Sequence, residues 1–230
     1  VKRISLFNNN EPLLDDRIYD FIFLTSKFLL DTEITLSTNG ILLSELVIKK
    51  LNKSKLTTLY ISIPCINREH YKVIMGIYPD KIFNLLNSIN NPKICKMIRI
   101  AVPHTKYMNL EEIRKKFKKF SVCDWNLEYK KDWHIDQKFF EVADDVICTG
   151  PCDRPMDQMV VSANGNVLIC CRDWLEDNVI GNVYEDTLYN IWHGKIMKEI
   201  QEKISKQNYD AIKCCRFCSM NKDFVISSKD

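Results

Sequence analysis

The fold of this chain is decided by the stretch Met159-Val-Val-Ser-Ala-Asn-Gly-Asn-Val-Leu-Ile-Cys170-Cys171, together with Cys152 before it and Cys214-Cys215-Arg-Phe-Cys218 after it. Asn164-Gly165 stands between two alternating apolar runs, which predicts a β-hairpin. A two-residue type I′ turn suits this dipeptide, because that turn needs positive φ at both of its positions. Pairing around such a turn would place Met159 opposite Cys170.

Four of the cysteines have spacings that suit a metal site. Neighbouring side chains on a strand point to opposite faces, so Cys170 and Cys171 cannot both face one site. The Cys-x-x-Cys turn at the end of the stretch can direct two thiolates at one metal, as in zinc and iron–sulfur sites. We therefore predict four sulfur ligands, Cys152, Cys170, Cys215 and Cys218. Four unrelated buried thiols are the alternative, although reactivity rather than packing usually governs where cysteines occur.

The composition is typical of a soluble globular protein. The chain has 230 residues, 46% of them hydrophobic and 27% charged, and it can bury a core in one or two domains. No apolar run is long enough to cross a membrane, and no signal-peptide pattern opens the sequence. A net charge of +3 does not indicate a nucleic-acid partner. Ten cysteines without a secretory context indicate metal ligands in a reducing compartment, hence the cytoplasm.

Short apolar strands alternate with helices in the first half of the chain. We predict strands at residues 2–7, 33–37, 58–63, 97–102 and 122–127. Helices are predicted from Asp15 or Asp16 to about 30, from Ser44 to about 51, over 67–90 with a break at Pro79, and over 110–120. This alternation predicts βα units, a parallel sheet and right-handed crossovers. The strands are mostly apolar, as expected of strands covered on both faces.

Two helices have apolar faces that indicate how they pack. Ile18, Phe21, Ile22 and Phe28 recur on one side of the first helix, which should face the sheet. In the second half, Leu188, Ile191, Trp192 and Ile196 recur at helical spacing. We predict that they form a core that packs over the hairpin. We expect one domain over residues 1–135, a connection over 136–147 and a second domain over 148–226.

The C-terminal stretch resembles the SPASM/twitch auxiliary-cluster domain of many radical S-adenosylmethionine (SAM) enzymes. The matching residues are Cys152, Pro155, Met159, Asn164-Gly165, Cys170-Cys171, Asp173, Gly181-Asn182, Ile191-Trp192, Cys215 and Cys218. The resemblance implies one auxiliary [4Fe–4S] cluster on Cys152, Cys170, Cys215 and Cys218, because full SPASM domains carry further cysteines and none follows Cys218. A cluster with four thiolate ligands is suited to electron relay or to a structural role.

Several alternatives for the metal site remain open. A structural Zn²⁺ with the same four ligands is the main rival, since tetrahedral Cys₄ sites suit both metals. Cys148 could replace Cys152, and Cys214 could replace Cys215, although only Cys215 has the Cys-x-x-Cys spacing. Strand alternation makes Cys171 a buried neighbour rather than a ligand.

The first half of the chain resembles the barrel of the same enzymes. Asn10-Glu11-Pro12-Leu13-Leu14-Asp15 resembles the Gly-Glu-Pro loop after the second barrel strand, with asparagine where glycine is usual. Ser37-Thr38-Asn39-Gly40 resembles the end of strand three, and Tyr60-Ile61-Ser62-Ile63 resembles strand four. The resemblance implies an α/β fold, a partial (β/α)6-type radical SAM barrel that lacks its first βα unit. It also implies that Glu11, Asn39 and Ser62 contribute to SAM binding.

The catalytic three-cysteine loop of this family, Cys-x-x-x-Cys-x-x-Cys, does not occur in the 230 residues. Cys148 and Cys152 have the first spacing, but Pro155 occupies the third position. We expect the loop and its second [4Fe–4S] cluster upstream of Val1. The resemblance then implies an oxidoreductase, or a peptide or natural-product maturation enzyme, that uses a 5′-deoxyadenosyl radical. This chain alone should not cleave SAM.

The expected partners follow from the same resemblance. They are a peptide or small-molecule substrate and an electron donor such as flavodoxin or ferredoxin, with no nucleic acid and no membrane. A non-catalytic Cys₄ interaction module, holding zinc or an iron–sulfur cluster, is the alternative function.

Overall fold

The computed structural model describes residues 1–103, 105, 107–125, 129–130, 142–143, 146–147, 151–215, 218 and 225–226. These residues form two compact units, one within residues 1–125 and one that starts at residue 129. The predicted connection over 136–147 lies mostly outside the described residues, so the domain boundaries at 135 and 148 stay predictions. No helix in the described ranges is both long and apolar enough to cross a bilayer.

The first unit is a parallel sheet of five strands in chain order, as the βα alternation predicts. The strands are β1 Arg3–Ser5, β2 Glu33–Thr38, β3 Thr58–Ser62, β4 Ile98–Pro103 and β5 Ser121–Trp125. The connecting helices are α1 Ile18–Phe28, α2 Glu45–Lys53, α3 Arg68–Met75, α4 Asp80–Ser88, α5 Pro92–Met97 and α6 Leu110–Lys116. The single broken helix predicted over 67–90 is thus two helices, separated after the left-handed Gly76. Helix α5 was not predicted.

The two faces of this sheet differ in chemistry. One face carries buried aliphatic side chains that share a core with α1, α2 and α4, among them Ile34, Leu36, Leu59, Ile61, Ile98 and Ile100. The opposite face carries hydroxyl and charged groups, and Ser5 Oγ lies 3.0 Å from Thr35 Oγ1 across β1 and β2. Thr58 Oγ1 also donates to Glu33 Oε1 on this face, at 3.4 Å. The polar groups of the second face depart from the mostly apolar pattern that we associated with strands covered on both faces.

Helix α1 packs through fewer residues than its sequence suggests. Ile18 and Ile22 are buried, whereas Phe21 is 38% exposed and Phe28 is 71% exposed. The helix begins at Ile18, and Asp15 accepts a hydrogen bond from the backbone N of Arg17 in the turn before it. The prediction that all four residues face the sheet is wrong for the two phenylalanines.

The second unit is a small antiparallel sheet with helices. Its described elements are β6 Tyr129–Lys130, β7 Val142–Ala143, β8 Val146–Ile147, α7 Arg154–Asp157, β9 Val160–Val161, β10 Asn166–Leu168, β11 Val179–Asn182, α8 Leu188–His193, α9 Lys195–Ser205 and β12 Val225–Ile226. Strand β10 lies between β11 and β9. Ile191 is buried as predicted, but Leu188 and Ile196 are 43% and 52% exposed. Met197, Ile200 and Ile204 of α9 contribute to this core in their place.

The hairpin forms at Asn164-Gly165 with a different turn from the one predicted. Val167 pairs with Val161 and Leu168 with Val160, so the register would bring Met159 opposite Ile169 rather than Cys170. Gly165 has φ +84°, and Asn164 is not in the positive-φ region. Gly165 N donates to Ser162 O at 3.0 Å, and Ser162 N donates to Asn166 O at 2.9 Å. This is a three-residue loop with glycine in the left-handed position, a common hairpin connection.

Candidate functional site

Five cysteines of the second unit line one small cavity. They are Cys152, Cys170, Cys214, Cys215 and Cys218, and the other lining residues are Arg154, Pro155, Arg172 and Tyr209. All four predicted ligands thus border the same space. Cys171 does not line the cavity, in keeping with its interpretation as a neighbour. Cys148, the alternative to Cys152, lies outside the described residues.

Turns rather than strands present these sulfur atoms. Strand β10 ends at Leu168, so strand alternation does not apply to Cys170 and Cys171. Instead, Asp173 N donates to Cys170 O in a turn at 3.1 Å, and Arg172 N lies 3.4 Å from Cys170 Sγ. In the Cys-x-x-Cys segment, Cys218 N donates to Cys215 O at 3.1 Å. That bond closes the turn that brings both of its cysteines to the cavity.

Helix α7 follows the first cysteine directly and is hydrogen-bonded to α9. Cys152 directly precedes Asp153, the N-cap position of α7, and Pro155 occupies the first turn. Gln201 Nε2 on α9 donates to Pro155 O at 3.0 Å. Pro155 therefore lies in the first turn of this short helix, where a missing N–H costs nothing, and its carbonyl oxygen accepts a bond that fixes its position.

Hydrogen bonds of a loop over residues 173–178 connect two of the cysteine segments. The buried carboxylate of Asp173 accepts hydrogen bonds from Asp177 N at 2.9 Å and Asn178 N at 2.8 Å. Asn178 Oδ1 in turn accepts from Cys214 N at 2.9 Å, and Lys213 forms an ion pair with Asp177. These hydrogen bonds hold the segment that contains Cys170 next to the segment that contains Cys214 and Cys215. The sequence resemblance includes Asp173, but Asn178 was missed because its partner is 36 residues away in sequence.

Hydrogen bonds between neighbouring thiols and burial shift the pKa values of these cysteines. Burial raises the pKa of Cys152. The pKa of Cys170 is raised by its hydrogen bond with Cys171 and by burial, while that same bond lowers the pKa of Cys171 to about 6. Cys214 Sγ lies 3.8 Å from Cys215 Sγ, and this hydrogen bond and burial raise the pKa of Cys214. Because a metal binds thiolates, a metal or cluster here must displace protons from buried sulfur.

The donor set fits a thiolate-bound metal centre. Soft sulfur ligands select zinc or iron–sulfur clusters over hard oxygen-binding cations. One zinc ion would need its sulfurs about 2.3 Å from a common centre. Among the described residues, no three His, Cys, Asp or Glu side chains are grouped closely enough to hold a single ion. In a cluster each thiolate binds a different iron, so its four cysteines lie farther apart.

The residues expected to bind SAM meet at the carboxyl edge of the parallel sheet. Glu11 Oε1 accepts from Thr38 Oγ1 at 2.7 Å and from Leu13 N at 3.1 Å, and Glu11 Oε2 accepts from Asn39 N at 2.8 Å. Ser62 is the last residue of β3, which lies beside β2. Parallel strands end at one edge, where ligands of open α/β sheets bind. Thr38 is a partner of Glu11 that the sequence reading missed.

Gly40 allows the chain to turn at this edge. Its φ is +80°, and a Cβ at this position would collide with Ile82 Cδ1 on α4. Asn39 Oδ1 accepts from Ile41 N at 2.9 Å, which stabilises the same turn. The Thr38-Asn39-Gly40 segment is therefore shaped by its own backbone and by Glu11.

The geometry defines an α/β protein with a cavity lined by five cysteines, and comparison with known proteins is consistent with it. Residues 152–219 match the family model of SPASM, an iron–sulfur cluster-binding domain. No curated protein sequence matches the chain.

Solved structures with the same fold cover most of the chain. BtrN in complex with AdoMet and 2-DOIA has a TM-score of 0.62 and 17% identity, over 94% of this chain and 72% of BtrN. Streptococcus suis SuiB bound to the precursor peptide SuiA has a TM-score of 0.59 and 18% identity, over 86% and 56% of the two chains. Native anSMEcpe with AdoMet and Cp18Cys peptide has a TM-score of 0.59 and 16% identity, over 96% and 78%.

Residues 152–219 are therefore similar to SPASM iron–sulfur cluster-binding domains, and the chain shares the fold of BtrN, SuiB and anSMEcpe. The predicted fold class, a partial barrel followed by a small domain with a hairpin and helices, is confirmed.

Proposed function

We propose that this chain is the C-terminal portion of a cytoplasmic radical SAM/SPASM enzyme, either an oxidoreductase or a peptide or natural-product maturation enzyme. In this proposal one auxiliary [4Fe–4S] cluster serves as an electron relay. The observation that carries it is the coincidence of the SPASM match with a cavity bordered by Cys152, Cys170, Cys215 and Cys218. A bound cluster supplies a centre that takes up and releases single electrons.

The protein would contribute two things to this relay, the four cysteine ligands and the hydrogen bonds that hold them in place. Four thiolates would complete the coordination of the four irons and leave no position for substrate, which favours relay over substrate binding. Cys170 and Cys215 are 6% and 8% exposed, so water has little access to their sulfurs. The hydrogen-bonded loop over 173–178 holds the cysteine segments in place before the cluster binds.

At the sheet edge, we assign Glu11, Asn39 and Ser62 to SAM binding. The Glu11 carboxylate accepts three hydrogen bonds from the protein. A carboxylate has about four lone-pair sites, which leaves one for the amino group of the SAM methionine. In this proposal Glu11 therefore both stabilises the chain at the carboxyl edge of the parallel sheet and contacts SAM. Asn39 and Ser62 are placed on the neighbouring strands β2 and β3 to contact the remainder of the molecule.

The substrate class is proposed by analogy with the similar structures. SuiB and anSMEcpe were solved with peptides, and BtrN with 2-DOIA. A peptide or a small molecule is therefore the proposed substrate, and a flavodoxin or ferredoxin is the proposed electron donor. The second [4Fe–4S] cluster and the three-cysteine loop that holds it would belong to a segment upstream of Val1.

One observation favours a second candidate function, a non-catalytic metal-binding module. The 230 residues contain no Cys-x-x-x-Cys-x-x-Cys loop, so a stabilising Cys₄ site with a binding role is chemically sufficient. This module could hold zinc or a cluster.

Metal analysis of the 230-residue chain tests the proposal. After anaerobic reconstitution with iron and sulfide we expect about four irons and four sulfides per chain. The cluster should be reduced by dithionite to an EPR-active state and reoxidised without loss of iron. Stoichiometric zinc without sulfide, or a cluster that cannot be reduced reversibly, would contradict the relay and favour the module.

A further inference from the structure

Two arginine residues line the cysteine cavity. Arg172 stands two residues after Cys170 and is only 4% exposed, and Arg154 stands two residues after Cys152 and is partly buried. Each thus follows a proposed ligand at the same distance in sequence. The cavity is lined by sulfur and by positive charge, with Pro155 and Tyr209 as the other two residues.

Local contacts hold both arginines at this wall. Arg154 Nη1 donates to Cys171 Sγ at 3.1 Å, which directs the guanidinium towards the Cys170-Cys171 turn. The guanidinium carbon of Arg172 lies 5.9 Å from the centre of the Trp174 ring, whose Nε1 donates to Cys171 O at 2.7 Å. Trp174 therefore packs beside one arginine and is bonded to the backbone of the same turn.

The charge of these groups does not depend on pH in the working range, because a guanidinium cannot be deprotonated in a protein. Burial lowers the pKa of Arg154, but electrostatic attraction to the sulfurs of Cys171, Cys170, Cys152 and Cys218 outweighs burial, so the pKa of Arg154 is raised. A buried cation is stable beside negative charge, and the thiolates of a bound cluster would supply such charge here.

We propose that Arg172, assisted by Arg154, raises the reduction potential of the auxiliary cluster. This rests on the proposed function. Four thiolates leave the cluster negatively charged, and reduction adds one electron and no proton. A fixed positive charge in the same low-dielectric wall stabilises the reduced state more than the oxidised one. The arginines would thus act through a bound cluster and not on the substrate, because their charge would make the cluster easier to reduce.

The test is a redox titration of the reconstituted 230-residue chain with dithionite, followed by EPR. Wild type is compared with Arg172→Gln, Arg172→Lys and Arg154→Gln. Lys195→Gln is the matched control, because it removes the same charge from an exposed side chain at the start of α9. Iron content, sulfide content and the melting temperature of each variant are measured on the same samples, so that loss of the cluster is separated from a change in its potential.

We expect Arg172→Gln to reduce the equilibrium constant for cluster reduction at least tenfold, which is about 59 mV for one electron. Arg172→Lys should restore most of the loss, because it keeps the charge. Arg154→Gln should shift the potential in the same direction, and Lys195→Gln should leave it unchanged. The shifts should persist at about 1 M salt, where the Debye length is about 3 Å and exposed charges are screened.

Each other outcome has one meaning. Full clusters with equal potentials in wild type, Arg172→Gln and Arg154→Gln overturn this inference and leave the proposed relay intact. A potential that falls equally in the Lys and Gln variants overturns it as well, since packing rather than charge would then be responsible. If Arg172→Gln does not hold a cluster, Arg154→Gln decides, and an unchanged potential there overturns the inference. Wild type that binds zinc without sulfide overturns both proposals.

Discussion

Cys170 and Cys171 are neighbours in the chain with different surroundings, and this difference is testable. Cys170 lines the cavity, whereas Cys171 Sγ accepts a hydrogen bond from Arg154. We expect Cys152→Ala, Cys170→Ala, Cys215→Ala and Cys218→Ala each to abolish cluster binding, because each removes one thiolate. Cys171→Ala is the matched control and should keep most of the iron and sulfide. A cluster that survives Cys170→Ala but not Cys171→Ala would reverse the assignment.

Gly165 provides a second prediction at the scale of one residue. Its φ of +84° and the Tyr184 ring, which would lie 2.6 Å from an added Cβ, both oppose a side chain. Tyr184 is 81% exposed and can move, so the backbone is the main obstacle. Gly165→Ala should lower the free energy of unfolding of the second unit by about 1–2 kcal/mol. Gly165→Asn should cost less, because asparagine tolerates this region. Equal costs in urea denaturation would show that backbone conformation is not the cause.

At the scale of elements, the contact between Glu11 and the end of β2 can be separated from SAM binding. Glu11→Ala leaves Thr38 Oγ1 and Asn39 N without their acceptor, and should cost about 1–3 kcal/mol of stability in the first unit. Thr38→Val removes one of these bonds and keeps the carboxylate. In a longer protein that contains the three-cysteine loop, Glu11→Ala should weaken SAM binding far more than Thr38→Val. Equal losses in calorimetric titrations would mean that Glu11 acts only on the fold.

The sequence predicted the order of elements better than their ends and contacts. The five strands and the hairpin follow from apolar runs and from Asn164-Gly165, which are local signals. The predicted turn type was wrong, because the loop has three residues instead of two. That difference of one residue depends on how β10 pairs with β11 and β9. Helix α5 has only six residues, although Asn91 and Pro92 are start signals that could have found it. The exposure of Phe21 depends on which elements cover α1, and periodicity alone does not contain that information.

The cysteines that line the cavity could be predicted from the sequence, but the hydrogen bonds that position them could not. Cysteine spacing and the Cys-x-x-Cys turn are visible in the sequence, and all four cysteines reach one cavity. The bonds of Asn178 to Cys214 and of Glu11 to Thr38 join residues far apart in the chain. The resemblance drew attention to Glu11 and Asp173, and only the fold shows what they contact.

At the scale of the whole molecule, the metal should stabilise one unit and not the other. The proposed ligands extend from Cys152 to Cys218, so a cluster closes a long loop of the unfolded chain and binds only the folded second unit. Chelation or Cys152→Ala should therefore increase hydrogen exchange in residues 151–215 and leave residues 1–103 almost unchanged. If removal of the metal had a similar effect on hydrogen exchange in both units, this independence would be contradicted.

The last prediction is that residues 1–230 alone do not cleave SAM. Reductive cleavage needs an iron with an open position for the amino and carboxylate groups of SAM, and a three-cysteine loop leaves that position free. Cys152, Cys170, Cys215 and Cys218 would instead close their cluster, and no Cys-x-x-x-Cys-x-x-Cys occurs among the ten cysteines. In addition, β1 is an edge strand, and Phe23 and Phe28 of α1 are 62% and 71% exposed, which favours self-association. We therefore expect oligomers by light scattering and no 5′-deoxyadenosine after reduction with SAM. A longer protein with the three-cysteine loop should be soluble and produce it, and Phe28→Lys should reduce association of the short chain. 5′-Deoxyadenosine from residues 1–230 above a control without protein would overturn the assignment of all four cysteines to a closed cluster.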